Sequence, residues 1–315
     1  MPTETPQVSV ILATHNRREL LRRCLDSLAK QTLDPAEFEV IVADDGSSDG
    51  SAEMVEAYEA PYPLRVLKEG RLGHAATQNK ALEAATGPIG LLLDDDIIAD
   101  PPLLEAHIAA HRRDPKIVGI GALTQQPVDA NDWYARAYAR GWNEHLEELS
   151  HRPTELSDCY GGNLSFPRET MLEIGGVATD LPAAYDYDMG FRLSQVGCKP
   201  VFIAAAHGVH DDQKGAARIL HDAQRSGRAC MVLGDRYPEL TPELLDWHAG
   251  ASGRETGLRR LAMSLHVPPL ALAKAGRLIP GRGRKMFWLH LVRRFAFWLG
   301  VQEQATPSQW AALSK

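Results

Sequence analysis

Apolar runs and amphipathic stretches alternate along the first part of the chain. "VSVILAT" is followed by "RRELLRRCLDSLAKQT", "FEVIVAD" by "SAEMVEAYEA" and "LRVLKE" by "HAATQNKALEAAT"; the series continues through "IGLLLD", "PPLLEAHIAAHRRD" and "KIVGIGAL". Short β-branched runs, each followed by helical spacing, predict βαβ units and hence an α/β domain with a mainly parallel sheet flanked by helices. Turn chemistry keeps the same register. "DDGSSDGS" follows the second strand, with Gly46 and Gly50 as punctuation and Ser or Asp placed to cap the next helix, and "ATGPIG" parts the third helix from the fourth strand. Beyond about residue 125 the alternation loosens. There "DANDWYARAYARGWNEHLEEL" reads as helix, "YGGNLSFPRETMLEIGG" as turn, strand and helix, and "VFIAAAHGVH" as a strand running into a histidine-bearing loop. From Gly215 onward the pattern is mainly helical, so the expected partition is a catalytic-type α/β domain over 1–213 and a helical extension over 214–315.

Composition changes this picture little, because 44% hydrophobic and 24% charged residues describe an ordinary globular chain. Cys24, Cys159, Cys198 and Cys230 are too scattered for a CxxC or zinc pattern and read as reduced thiols. The first residues, "MPTETPQVSVILATHNRR", carry no basic region followed by a long apolar run, so a cytoplasmic location is expected, with no nucleic acid as partner. Charge is more telling. Leu258 to Val301 holds nine basic residues and no acid (Arg259, Arg260, Lys274, Arg277, Arg282, Arg284, Lys285, Arg293, Arg294), which leaves -7 - 9 = -16 on the remainder. A basic unit is attached to an acidic body.

The acids concentrate at strand ends. Ligands of open α/β sheets bind beyond the carboxyl ends of the strands, and Asp44-Asp45 and Asp94 to Asp96 both fall there, so they should face one cleft. The first turn, "ATHNRREL", lacks GxGxxG, and GxxxxGK[ST] is absent, which disfavours a dinucleotide fold and a P-loop. Carboxylates at strand ends suggest instead a divalent cation, Mg²⁺ or Mn²⁺, that neutralises a diphosphate. Alternate residues of an extended segment point the same way, so Asp94 and Asp96 should act together with Asp95 turned aside. The alternative is a solvated acidic turn.

"VSVILATHNRRELLRRCLDSLAKQT", "VIVADDGSSDGS", "LLLDDDI", "GGNLSFPRETMLEIGG" and "YDYDMGFRLSQVG", in this order, resemble the inverting nucleotide-sugar glycosyltransferases of family two, which have the GT-A fold. The resemblance covers residues 7 to 213. It implies that Thr14, His15, Asn16 and Arg17 border the nucleotide, that Asp44 and Asp45 contact its base and ribose, and that Arg71 and Asn79 lie beside it. Asp94 and Asp96 fit the family's DxD, with Asp95 next to the nucleotide and Asp96 the direct metal ligand. Gly161, Gly162 and Asn163 match the wall of the donor sugar and acceptor. In "YDYDMGFRL" the family's general base maps onto Asp186, with Asp188 at the next acidic position; Tyr185 replaces the usual Glu, which puts one acceptor contact in doubt. His210 of "HGVHDD" is the histidine expected to join the metal or the diphosphate, rather than His207.

The C-terminal stretch "GRGRKMFWLHLVRRFAFWLGV" is interrupted by His290, Arg293 and Arg294 and is not a membrane span. Trp288, Leu291, Val292, Phe295, Trp298 and Leu299 recur at helical spacing beside Arg282, Arg284 and Lys285, which fits a helix lying on the anionic inner face of a membrane. It fits equally a helix packed on the rest of the chain or on a second subunit in a homodimer. The expected activity is transfer of a sugar from a nucleoside diphosphate sugar to a hydroxyl of a saccharide or lipid-linked acceptor, by one displacement with inversion. Two rivals stand beside it: sugar nucleotidylyltransferases, whose glycine-rich first turn is missing here, and an inactive relative that only binds or scaffolds, to which Tyr185 would point.

Overall fold

The computed structural model describes residues 5–126, 131–211, 214–242, 244–245, 257, 262–264 and 266–313. The chain forms two compact units. One comprises residues 1–126, 142–179 and 185–212, and the other 127–141, 180–184 and 213–315.

The first unit is a mixed eight-stranded sheet with strand order β3-β2-β1-β4-β7-β6-β8-β5. Its elements run β1 (Val8–Thr14), α1 (Arg18–Leu28), β2 (Phe38–Asp45), α2 (Ser51–Glu56), β3 (Leu64–Glu69), α3 (His74–Ala84), β4 (Ile89–Leu93), β5 (Ile97–Ala99), α4 (Leu103–Arg113), β6 (Ile117–Gln125), the later part of α5 (Trp133–Leu149), β7 (Asn163–Pro167), α6 (Arg168–Glu173), α7 (Tyr185–Gln195) and β8 (Lys199–His210). β1, β2, β3 and β4 are parallel, as their βαβ pattern requires. β7 enters antiparallel between β4 and β6.

Both faces of the sheet are covered, which explains why the central strands read as continuous apolar runs. Val8, Val10 and Leu12 pack with Leu21, Leu25, Leu28 and Ile108 on one face. On the other, Ile11 and Ile41 meet Leu82, Met171, Met189 and Leu193.

The end of β8 differs from the predicted loop. His207 and His210 lie within the strand, and a register shift after Gly121 pairs Ala122 with His207 instead of the residue following Ile203. Residues 204–206 therefore bulge out of the ladder, and this brings His210 level with the acidic turn after β4.

The second unit is helical, as expected from Gly215 onward: the start of α5, α8 (Ala216–Arg236), α9 (Pro269–Ala275), α10 (Arg282–Gln304) and α11 (Pro307–Leu313). Trp133, Tyr134, Ile219, Leu220, Val292 and Ala296 form its core. α8 and α10 touch backbone to backbone, since a Cβ on Gly227 would collide with the Phe297 carbonyl and one on Gly300 with the Gln224 carbonyl. Leu291, Val292, Phe295 and Trp298 are all buried, Val292 in this core and Trp298 against Cys230, Met231 and Val301. The apolar stripe is thus a packing surface rather than a lipid-facing one. No described helix is long and apolar enough to cross a membrane. Arg259 and Arg260 of the basic segment lie outside the described residues.

Candidate active site

The turns after β1 and β2 are stitched to each other. Asn16 adopts a left-handed φ of 52°, which asparagine tolerates better than most residues. Its Oδ1 accepts from the Ser48 amide (2.7 Å), and its own amide donates to Ser47 Oγ (2.9 Å). Asp44 accepts from the Ser47 amide at 3.0 Å and from its hydroxyl, closing the same turn.

Asp45 accepts through Oδ1 from the amides of Leu72 (2.6 Å) and Gly73 (2.9 Å) and from Thr77 Oγ1 (3.0 Å). Burial disfavours the charged form of Asp45, but these donors outweigh it and hold the pKa below the ordinary value. The Asp45 carboxylate anchors the 71–73 loop and thereby places Arg71. Arg71 Nη1 (2.9 Å) and Asn16 Nδ2 (3.0 Å), both obligate donors, face Nε2 of His15. His15 therefore carries its hydrogen on Nδ1 and donates it to the Asp45 carbonyl at 2.8 Å.

The acidic triplet is a turn, closed by the Ile97 amide donating to the Asp94 carbonyl (3.2 Å). This overturns the expected alternation, which holds for extended segments only. Asp95 and Asp96 are both buried and both pair with Arg17, Asp95 Oδ1 lying 3.1 Å from Arg17 Nε and Asp96 Oδ2 meeting Nη2. Thr14 Oγ1 donates to Asp95 Oδ2 at 2.7 Å. Burial pushes the Asp95 pKa up to about 7; Arg17 and Thr14 oppose the rise, and the charges of Asp96 and Asp94 add to it. Asp96 Oδ1 lies 3.4 Å from His210 Nδ1, so the histidine expected near the metal does reach the triplet.

Asp94 goes elsewhere. Its amide donates to the Gly162 carbonyl (3.1 Å), and its Oδ2 would stand 2.9 Å from a Cβ at position 162, so any side chain there would crowd the carboxylate. Among the described residues no three carboxylate, histidine or cysteine side chains converge as a ligand cluster; the expected trio of Asp94, Asp96 and His210 is represented by the Asp96–His210 pair. Such a pair suits a hard divalent cation that takes one or two protein ligands and completes its shell with phosphate oxygens and water.

Asp186, the second residue of α7, lies beside Asp94. Its Oδ2 accepts from the Gly161 amide (3.1 Å) and its Oδ1 from the Tyr187 amide (2.9 Å). Burial raises its pKa against those two donations, and the Asp94 charge raises it further. Asp188 is not part of this arrangement. It is fully buried and paired with Arg192 Nε (2.8 Å), while the Arg192 guanidinium also donates to the carbonyls of Ile174 and Gly176. Two residues along a helix is about 200° of rotation, so the two aspartates face opposite ways.

Two further expectations are corrected. Asn79 spends both ends of its amide on Val177, donating to the carbonyl (2.9 Å) and accepting from the N–H (2.8 Å), so it secures the 176–177 loop. Asn163 is fully buried: Nδ2 donates to the Ala206 carbonyl (2.9 Å), and Oδ1 accepts from His107 Nε2 (2.8 Å). It belongs to a network that the sequence did not reveal. His107 Nδ1 then accepts from Ser165 Oγ (2.8 Å), which accepts in turn from His111 Nε2 (2.9 Å). The only sequence signal was the i, i+4 spacing of two histidines on one helix. Their partners lie more than 50 residues away.

Residues 9–175 match the glycosyl transferase family 2 profile. The chain belongs to that family. Among its curated relatives, the uncharacterized glycosyltransferase YfnE of Bacillus subtilis is 38% identical over 152 residues (48% of this chain, 37% of YfnE). The validoxylamine A glucosyltransferase of Streptomyces hygroscopicus subsp. limoneus is 36% identical over 111 residues (35% and 24%). The glucosyl-dolichyl phosphate glucuronosyltransferase of Haloferax volcanii is 28% identical over 196 residues (55% and 56%). The chain thus spans less than two thirds of each of these relatives. Among solved structures, the mannosyltransferase PcManGT of Pyrobaculum calidifontis, in complex with GDP-Man and Mn²⁺, superimposes with a TM-score of 0.65 at 22% identity, covering 95% of this chain and 88% of that one. S. aureus TarS 1-349 in complex with UDP-GlcNAc gives 0.60 at 18% identity, covering 95% and 90%. These family 2 likenesses carry the fold, which is the GT-A fold.

Proposed function

We propose that the chain transfers a sugar, with inversion, from a nucleoside diphosphate sugar to a hydroxyl of a saccharide or lipid-linked acceptor. The observation that carries this reading is the placement of Asp186 beside Asp94 at the Gly161–Gly162 segment, beyond the carboxyl end of β4. Asp186 is the general base: its burial-raised pKa makes it a better proton acceptor than an ordinary carboxylate, while two backbone amides hold its orientation. His15, Asn16 and Arg71 line the nucleotide side, on turns locked by Asp44 and Asp45. Asp96 and His210 would hold a divalent cation, which supplies charge neutralisation for the departing diphosphate. Of the solved relatives, one is in complex with GDP-Man and Mn²⁺ and another with UDP-GlcNAc, which supports the donor class and the use of a divalent metal.

The membrane-facing surface of this reading lies apart from the buried stripe. Leu278 is 86% and Phe287 40% exposed, with Arg277, Arg282 and Arg284 exposed nearby in sequence. Apolar side chains among cations suit an anionic bilayer surface.

Incubation with Mn²⁺ and a panel of UDP- and GDP-sugars tests the central reading. Slow release of nucleoside diphosphate from one donor, together with thermal stabilisation by that nucleotide, is the expected result. Stabilisation without turnover under any acceptor condition would mark an inactive binding protein. Co-sedimentation with anionic liposomes at low and high salt tests the surface around Leu278.

A further inference from the structure

Asp95 and Asp96 are adjacent and nearly inaccessible, a setting in which two ionised carboxylates need a compensating positive charge. Arg17 provides it. The side chain leaves the start of α1, just after the left-handed turn at Asn16, and presents Nε to Asp95 and Nη2 to Asp96, the two donors of one guanidinium edge. A divalent cation that uses Asp96 has to contend for a carboxylate that already carries a cation.

We propose that Arg17 is the resident counter-cation of the acidic turn: it bridges Asp95 and Asp96 and holds them together, and an arriving divalent cation displaces it from Asp96. This rests on the metal-assisted reading above. The Arg17 side chain is 25% exposed, so it has a path out of the pair that the two buried aspartates lack. Once released it is a mobile fork-shaped donor at the mouth of the site, suited to the diphosphate that accompanies the metal. The arrangement links the two ligands. Mn²⁺ without nucleotide must displace Arg17 with nothing to receive it, whereas Mn²⁺ with a diphosphate provides the displaced guanidinium with a new partner.

The test titrates Mn²⁺ alone into the full-length, metal-free protein, following free Mn²⁺ by electron paramagnetic resonance. Arg17→Ala should bind Mn²⁺ on the order of ten-fold more tightly than wild type, the scale of one charge-assisted hydrogen-bond pair no longer in competition. Arg17→Lys, which keeps the charge but cannot span both carboxylates, should fall between them. Calorimetry with UDP and GDP in the presence of saturating Mn²⁺ should show the opposite order, with Arg17→Ala the weakest binder of whichever diphosphate the wild type takes. Thermal melting checks that each variant is folded, and Arg17→Met replaces Arg17→Ala if the latter is not. Equal or weaker Mn²⁺ binding by the folded neutral variant overturns the inference alone, provided that wild-type binding is lost in Asp96→Ala. If no variant binds Mn²⁺, or if Asp96→Ala binds it as wild type does, the metal reading and the inference fall together.

Discussion

Replacing Asp186 by asparagine separates chemistry from binding. The amide keeps the shape of the side chain and one acceptor oxygen, so it can retain one of the two donations from Gly161 and Tyr187 and must place an NH₂ near the other. A mismatch of that kind costs about 1–3 kcal/mol. Removing a negative charge next to Asp94 offsets part of it, because Asp94 already disfavours the ionised form of Asp186. The variant should therefore fold and bind nucleotide nearly as wild type. Transfer should fall by about 10²- to 10⁴-fold, the usual contribution of a general base, and the loss should appear in kcat rather than KM. Asp188→Asn is the contrasting variant. It weakens the pair between the fully buried Asp188 and Arg192, so it should cost about 2–3 kcal/mol of stability, less than the loss of a fully buried pair because the Arg192 side chain is 20% exposed. Its kcat should remain within a few-fold of wild type at temperatures where it is folded. The assay couples nucleoside diphosphate release to a colour change, using the donor found by the panel, with melting curves for each variant. If Asp186→Asn keeps most of its transfer while folded Asp188→Asn loses it, the base is Asp188 and the assignment built on α7 is refuted.

Acid should destabilise the fold through His107 and His111. Burial lowers both pKa values to about 4, so below about pH 6.5 the unfolded chain takes up protons that the folded chain refuses; stability is complete above 6.5 and declines as pH falls to about 4. Each histidine accounts for up to about 3 kcal/mol of that loss. Urea midpoints from pH 7.5 to 4.5 measure it, and a His107→Gln, His111→Gln protein with an unchanged slope would contradict it. Asp96→Ala should abolish Mn²⁺-dependent nucleotide binding, whereas Asp95→Ala, which frees one side of Arg17 and leaves Asp96 in place, should only weaken it, as read by calorimetry. Gly227→Ala should lower stability by about 1–3 kcal/mol, because its methyl would meet the Phe297 carbonyl and push α10 from α8. Circular dichroism melting tests this, and an unchanged melt would mean that the crossing is looser than described.

The parallel strands, their helices and the acidic strand ends were legible in the sequence, because they rest on local rules: period-2 and period-3.6 burial, turn residues, and charge at the end of an apolar run. Asp186 and His210 were legible through family resemblance, and the structure places each beside an acid of the triplet. What stayed hidden depends on contacts distant in sequence. Asn79 and Asn163 occupy motif positions, yet Val177, Ala206 and His107 absorb their hydrogen bonds, and no spacing rule states which partner an amide will meet. The aromatic stripe of α10 read equally well as a lipid face or a packing face, since helical spacing of apolar residues records that one side is apolar but not what covers it; tertiary packing decided for α8 and the core beneath it. The division of the acidic triplet was likewise tertiary. Alternation assigned Asp94 and Asp96 to one task, but the turn at Asp94–Ile97 and the reach of Arg17 joined Asp96 to Asp95 and left Asp94 to the glycines and Asp186. Sequence determined which charges gather at the end of β4, and only the fold decided which of them share a partner, because a carboxylate's role is set by the donors that surround it in space.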